Sequence, residues 1–340
     1  MKAVGYRRSL PVSDPDCLLD VTLPDPVATG RDLLVQVKAV SVNPVDAKQR
    51  KRAEPVDGSV AVLGYDAAGV VVAVGDEVTL FKPGDEVWYA GSIARPGTNS
   101  ELHLVDERIV GKKPKSLDFA RAAALPLTTI TAWEMLFDRL RIEKDHDRKD
   151  QGQSLLIVGA AGGVGSMLTQ LARQLTGLKV IGTASREETQ EWVKSLGAHE
   201  VIDHRQPLSQ ELKRVGIESV THVAALTHTD QHIGEIVECL APFGNLALID
   251  DPAVFDVKLL KRKALSLHWE LMFTRPLYQT ADMVRQHELL NETADLVDAG
   301  VLRTTFGEHL GEINAANLKR AHALIESNTA KGKMVLEHQS

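Results

Sequence analysis

The order of apolar and polar positions divides the chain into two kinds of pattern. "DLLVQVKAV" alternates, with Leu33, Val35, Val37 and Ala39 on one side and Gln36 and Lys38 on the other. A period of two is that of a half-buried strand. "AGVVVAVGDEVTLFKPGDEVW" reads as two β-branched runs around Gly75 and Asp76, then a Pro83-Gly84-Asp85 turn and a further strand. Short, punctuated strands of this kind predict a small barrel or sandwich.

After "KKPKSLDFARAAALP" the period lengthens. A helix is predicted from Asp118, ending at Pro126, and "TAWEMLFDRLRI" supplies a second with Trp133, Leu136, Phe137 and Leu140 at helical spacing. "EKDHDRKDQGQS" is a charged connector, in which His146 between two aspartates reads as solvated loop rather than metal site. Apolar runs and helical segments then alternate: "SLLIVGA", "LKVIGTA", "EVIDH", "VTHVAAL" and "GNLALID", with "MLTQLARQL" and "QEWVKSL" among the helices. This rhythm predicts a parallel sheet covered on both faces. "ALSLHWEL" would add an edge strand, and the terminal "GKMVLEH" a strand returning to the first domain. The expected class is α/β: a β-rich domain of residues 1–125 and 271–340, and a doubly wound domain of residues 126–270.

With 340 residues the chain has room for two cores, and its 44% hydrophobic and 25% charged content is that of a globular protein. The formal charge of -7 argues against general affinity for nucleic acid or anionic membrane. Cys17 and Cys239 cannot build a disulfide framework, and no stretch has the length and apolarity of a signal core or membrane span. A cytoplasmic location is expected.

The strongest local signal is "LLIVGAAGGVGSMLTQLARQLTG". Gly159, Gly162 and Gly165 follow an apolar run and open a helix whose buried stripe is Met167, Leu168, Leu171, Ala172 and Leu175, with a stop predicted at Gly177. Absent side chains let backbone approach a pyrophosphate, and a helix N-terminus offers free N–H groups to it. Gly163 and Val164 complete the predicted cradle. A tightly packed turn without a ligand is the alternative.

About 20 residues further on, a site for NAD commonly places Asp or Glu against the ribose 2′-hydroxyl. Here "VIGTASREET" sets Ser185 and Arg186. A carboxylate would repel a 2′-phosphate, whereas a hydroxyl and a guanidinium can donate to one, so the expected cofactor is NADPH. The alternative is that Arg186 merely begins a solvated helix.

Together, "VSVNPVDAKQR", "LGYDAAGVVVAVG", "FKPGDEVW", "AALPLTTITAWEML", "VGAAGGVGS", "LGAHEVIDH" and "GKMVL" resemble the medium-chain dehydrogenases/reductases, specifically their zinc-free quinone oxidoreductases. The resemblance implies a GroES-like catalytic domain, a Rossmann domain inserted into it, and a homodimer. Zinc-dependent relatives carry Cys at the position of Asn43 and Gly-His-Glu where this chain has Gly64-Tyr65-Asp66. Asn and Tyr are poor zinc ligands, so no metal is expected. His228 and His232, four apart, read as a polar helix start.

The activity so implied is NADPH-driven reduction of quinones, with 2-alkenal or enone reduction, or NADPH-binding redox sensing, as alternatives. Asn43 is a candidate for holding a substrate oxygen or the nicotinamide ribose, or for a turn role before Pro44. Tyr65 is a candidate donor to the reduced oxygen, or a packed aromatic. Asp46 would position the ribose, support Asn43 or cap a helix. Thr131 matches a family threonine near the nicotinamide, or is a buried helix threonine, and His204 stands where the family has a tyrosine at the adenosine end. Tyr89, Phe273 and Arg275 are candidates for lining the substrate cleft, or equally for packing or surface roles.

Overall fold

The alternation in Asp32–Val42 is realised as the central strand of a seven-stranded sheet, with Leu33, Val35, Val37 and Ala39 at most 1% exposed. The computed structural model describes residues 1–145, 152–327 and 332–338, so His146 of the charged connector lies outside the described residues. Two compact units result: residues 1–130 with 273–340, and residues 131–272. The sequence pattern had set its boundaries at 125/126 and 270/271.

In the first unit, the eleven-residue strand Asp32–Val42 is long enough to take different partners along its length. Ala67–Val74 and Leu102–Asp106 pair with it antiparallel, and so does Lys333–Glu337 at its far end, with Met334 opposite Val42. The terminal "GKMVLEH" thus returns to the first unit's sheet. One expected strand is absent. The run Val78–Leu80 forms no ladder, because the N–H groups of Thr79 and Leu80 donate instead to the buried Glu107 carboxylate at 2.8 and 2.7 Å. A charged oxygen that accepts two N–H groups competes with a sheet edge on favourable terms.

Pro126 begins a helix rather than ending one: Pro126–Trp133 is α-helical and Glu134–Arg139 continues it as a π-helical turn. Proline is tolerated there because the first-turn N–H groups have no intrahelical acceptor.

The second unit is a six-stranded parallel sheet. Its order is Glu200–Ile202, Lys179–Thr183, Ser154–Val158, Val220–Ala225, Leu240–Leu248, Ser266–Trp269. That is the doubly wound order, reversing beside Ser154–Val158. Leu156, Val158, Ile181, Ile202, Val223 and Leu246 form its core. The glycine-turn helix ends at Leu175, two residues before Gly177. Thr176 turns extended there, and its hydroxyl takes up the Ala172 carbonyl at 2.6 Å.

Two buried carboxylates meet in this unit. Glu270 and Glu134 are both buried, and Arg139 Nε donates to Glu270 Oε2 at 2.7 Å. Burial, then the charge of Glu134, pushes the Glu270 carboxyl well above the ordinary range, against the opposing pull of Arg139. The folded state therefore holds a proton that the unfolded chain releases, and stability falls as pH rises from the ordinary glutamate range past neutrality. Glu270→Gln keeps an acceptor for Arg139 and adds a donor for Glu134. Its expected effect is a Tm raised by about 5 °C at pH 8, with the gain shrinking towards pH 5. Calorimetry at both pH values checks this, and an unchanged or lower Tm at pH 8 would contradict it.

Candidate functional site

In the second unit, the chain leaves Ser154–Val158 through Gly159 at φ +90°, where a Cβ would come within 2.9 Å of the Thr227 methyl. Gly162 is extended and exposed, and helix Gly163–Leu175 follows with no side chain capping its start. A Cβ on Gly165 would lie 2.4 Å from the Gly159 carbonyl oxygen, so the third glycine serves packing of helix against turn. Gly163 and Val164 are partly exposed. The helix start thus presents accessible N–H groups with a favourable dipole, a cradle suited to a pyrophosphate.

The Gly159 N–H donates to Thr183 Oγ1 at 3.0 Å, tying the turn to the end of the neighbouring strand. From that end the chain runs into half-buried Ser185 and exposed Arg186. Arg186 is the residue before helix Glu187–Ser195, and its backbone N–H and C=O both engage the Thr189 hydroxyl, at 3.3 and 2.8 Å. This anchors the backbone beneath an exposed guanidinium. His204 follows strand Glu200–Ile202, its ring 6.3 Å from that of His232. Burial lowers the pKa of both imidazoles, so His204 at neutral pH is a polar group rather than a second full cation. Thr131, in helix Pro126–Trp133, is buried. His228 precedes helix Thr229–Cys239 in a left-handed conformation, and the Thr229 hydroxyl and N–H bind Asp250.

The first unit gathers Asn43, Asp46 and Tyr65 with residues that the sequence pattern had not singled out. Asn43 and Asp46 are each 1% exposed. Asn43 precedes helix Pro44–Arg52, and its N–H donates to Asp46 Oδ2 at 2.7 Å. Its amide faces inward: Nδ2 donates to Asp66 Oδ2 at 2.7 Å, and Oδ1 accepts from Lys333 Nζ. Asp66 Oδ2 also accepts from Ser41 Oγ at 2.8 Å and Lys333 Nζ at 3.0 Å, while Oδ1 accepts the Leu127 N–H at 2.8 Å. Both ends of the Asn43 amide are engaged by the protein, which favours support of its neighbours over direct contact with a ligand.

Asp46 Oδ1 is buried without a hydrogen-bond partner among the described residues. Burial raises the Asp46 carboxyl to about 7, against the Asn43 N–H and the Lys333 charge, which pull it down. The Tyr65 ring packs edge-to-face on Phe273, centroids 5.4 Å apart, and burial with the Asp46 charge holds its hydroxyl protonated well above its ordinary pKa. Tyr89 takes the packing role. It is fully buried, its hydroxyl donates to His103 Nδ1 at 3.1 Å, and His103 Nε2 donates to the Pro96 carbonyl at 2.9 Å. Arg275 is buried against Asp282 at 2.8 Å.

This donor set does not fit a zinc ion. The Asn43 oxygen and Asp66 Oδ2 are committed to an ammonium, and a dication placed there would meet the Lys333 charge. No group of three or more His, Cys, Asp or Glu side chains converges as a metal-binding set among the described residues.

Both added partners lie within short motifs of the sequence. Asp66 ends Gly64-Tyr65-Asp66, and Lys333 is the only charged residue of "GKMVL".

Residues 29–115 match the family model described as alcohol dehydrogenase GroES-like domain, and residues 196–336 that described as zinc-binding dehydrogenase. A zinc-type alcohol dehydrogenase-like protein of Staphylococcus epidermidis is 40% identical over 337 residues, 99% of each chain. A crystal structure of a Rhizobium etli protein, provisionally named a zinc-dependent alcohol dehydrogenase, superposes with TM-score 0.95 at 60% identity, covering 100% of this chain and 98% of that one. A quinone oxidoreductase of Pseudomonas syringae superposes with TM-score 0.82 at 26% identity, covering 99% of both. With a GroES-like unit, a Rossmann unit and relatives matched along nearly its whole length, the chain belongs to the medium-chain dehydrogenase/reductase superfamily of oxidoreductases.

Proposed function

We propose that the protein reduces quinones with NADPH by direct hydride transfer, without a metal ion. The observation that carries this reading is the placement of Ser185 and Arg186 beside an uncapped, glycine-lined helix start. In the proposed complex Gly159, Gly162, Gly163, Val164 and Gly165 hold the pyrophosphate. Ser185 and Arg186 take the 2′-phosphate, His204 adds a neutral hydrogen bond there, and Thr131 lies near the nicotinamide. Bound NADPH would supply the hydride.

The chain's own task is to orient the acceptor and deliver one proton. A quinone is already electrophilic, so it needs no Lewis acid to polarise an alcohol oxygen. Tyr65 is the proposed donor to the reduced oxygen, with Asp46 the proposed reservoir behind it and Asn43 fixing Asp46 through its N–H. A conjugated enone would accept the hydride in the same geometry, which is why that substrate class is the nearest competitor.

Asp46 gives this reading a pH signature. Its folded pKa is raised to about 7, so its proton is present below neutrality and lost above it. Turnover is expected to decline as pH rises through about 7. Asp46→Asn holds no titrating proton and should lose that decline; a wild-type profile in the variant would remove Asp46 from the proton path.

The direct test is oxidation of NADPH and NADH by metal-analysed protein across quinones, enones and simple aldehydes. Quinone turnover with a strong NADPH preference and no bound zinc is the expected result. Tight NADPH binding with no turnover would favour a redox sensor instead. A homodimer built on the Ser266–Trp269 edge belongs to the same proposal, since Trp269 there is 53% exposed; sedimentation of the purified protein tests it. Among the described residues no helix is long and apolar enough to cross a membrane.

A further inference from the structure

Lys333 is only 5% exposed, yet it sits in no apolar pocket. It opens the strand that pairs with Asp32–Val42, and the register of Met334 opposite Val42 brings its side chain to the point where that strand runs into Asn43. An ammonium has three donors. Here they have three acceptors: Asn43 Oδ1, Asp66 Oδ2 at 3.0 Å and the Val42 carbonyl at 3.4 Å.

The arrangement admits one orientation of the Asn43 amide. With Oδ1 on the ammonium and Nδ2 on the carboxylate both contacts attract; a flipped amide would set NH2 against ammonium and oxygen against carboxylate. Stability alone does not call for such a cluster, because a buried ion pair can often be exchanged for apolar side chains without loss.

We propose that Lys333 is a positioning residue of the reductase site: its buried ammonium locks the Asn43 amide and the Asp66 carboxylate in one arrangement, which fixes Asp46 through the Asn43 N–H and Tyr65 through its neighbour Asp66. The inference rests on the function proposed above for its kinetic consequence, while the locking of Asn43 stands apart from it.

Lys333→Met alone would strand a buried carboxylate and can fail to fold. The informative comparison is therefore Asp66→Asn against the double variant Asp66→Asn/Lys333→Met, which is neutral throughout. Relative to Asp66→Asn, the double variant should lose about tenfold or more in kcat, since small displacements of reacting groups are costly. KM for NADPH should stay within about twofold, because Lys333 is in the first unit and the glycine turn in the second. In 15N spectra the Asn43 side-chain amide, assigned with Asn43→Asp, should exchange slowly in wild type and Asp66→Asn and rapidly in the double variant.

Equal kcat in the two variants, with the amide protected in both, overturns the proposal. If Asp66→Asn fails to fold, the double variant is compared with wild type under the same criteria. If the wild-type protein reduces none of the electrophiles, the proposed function fails on its own, and the amide spectra alone decide for or against Lys333.

Discussion

Replacing Tyr65 by Phe is expected to lower kcat about 100-fold while leaving KM for NADPH unchanged, the usual size of a lost proton donor. The variant keeps the ring and so its edge-to-face packing on Phe273, which should hold Tm close to wild type. Only the hydroxyl is removed. In wild type that hydroxyl stays protonated across the working pH range, because burial and the nearby Asp46 charge both oppose phenolate. It is thus a donor throughout. Steady-state kinetics with a saturating quinone and varied NADPH make the measurement, and an unchanged kcat would reduce Tyr65 to a packing residue.

The second large effect is expected at the other unit. Arg186→Ala should weaken NADPH about 10- to 100-fold and NADH by no more than about twofold. A hydrogen bond to a charged group contributes about 1.5–3 kcal/mol, and each 1.4 kcal/mol is a factor of ten. Because the guanidinium is exposed, added salt should narrow the NADPH preference of the wild-type protein. Titration calorimetry with both nucleotides at two ionic strengths resolves these effects. Equal losses for NADPH and NADH would remove Arg186 from the 2′-phosphate pocket.

What the sequence made legible was local. The period of two in "DLLVQVKAV" and the strand–glycine–helix order at Gly159 describe groups within one element or its next neighbour. What stayed hidden depends on distant partners. Val78–Leu80 has the composition of a strand, but Glu107, nearly 30 residues on, takes its N–H groups. The sequence around Asn43 suited either contact with a ligand or a turn before Pro44, and did not show that its amide meets Lys333, 290 residues away. The Glu134–Glu270 pair has no motif at all, since two carboxylates share a proton only when the fold places them together away from water.

The strand that carries Lys333 also has a consequence for the order in which the protein is made. The Rossmann unit is continuous in sequence, residues 131–272, and can collapse once it has left the ribosome. The first unit depends on a late partner: its long central strand gains its antiparallel neighbour Lys333–Glu337 only after the whole second unit has been synthesised. Until then Asp66 has no ammonium to sit against, and a carboxylate without a counter-charge resists burial. The nascent chain would therefore carry a completed second unit and a first unit still missing a strand, and the strand that supplies this pairing also brings the ammonium to Asp66. A chain cut short before Lys333 should remain recognisable to proteases and chaperones as unfinished, even with its glycine turn already formed.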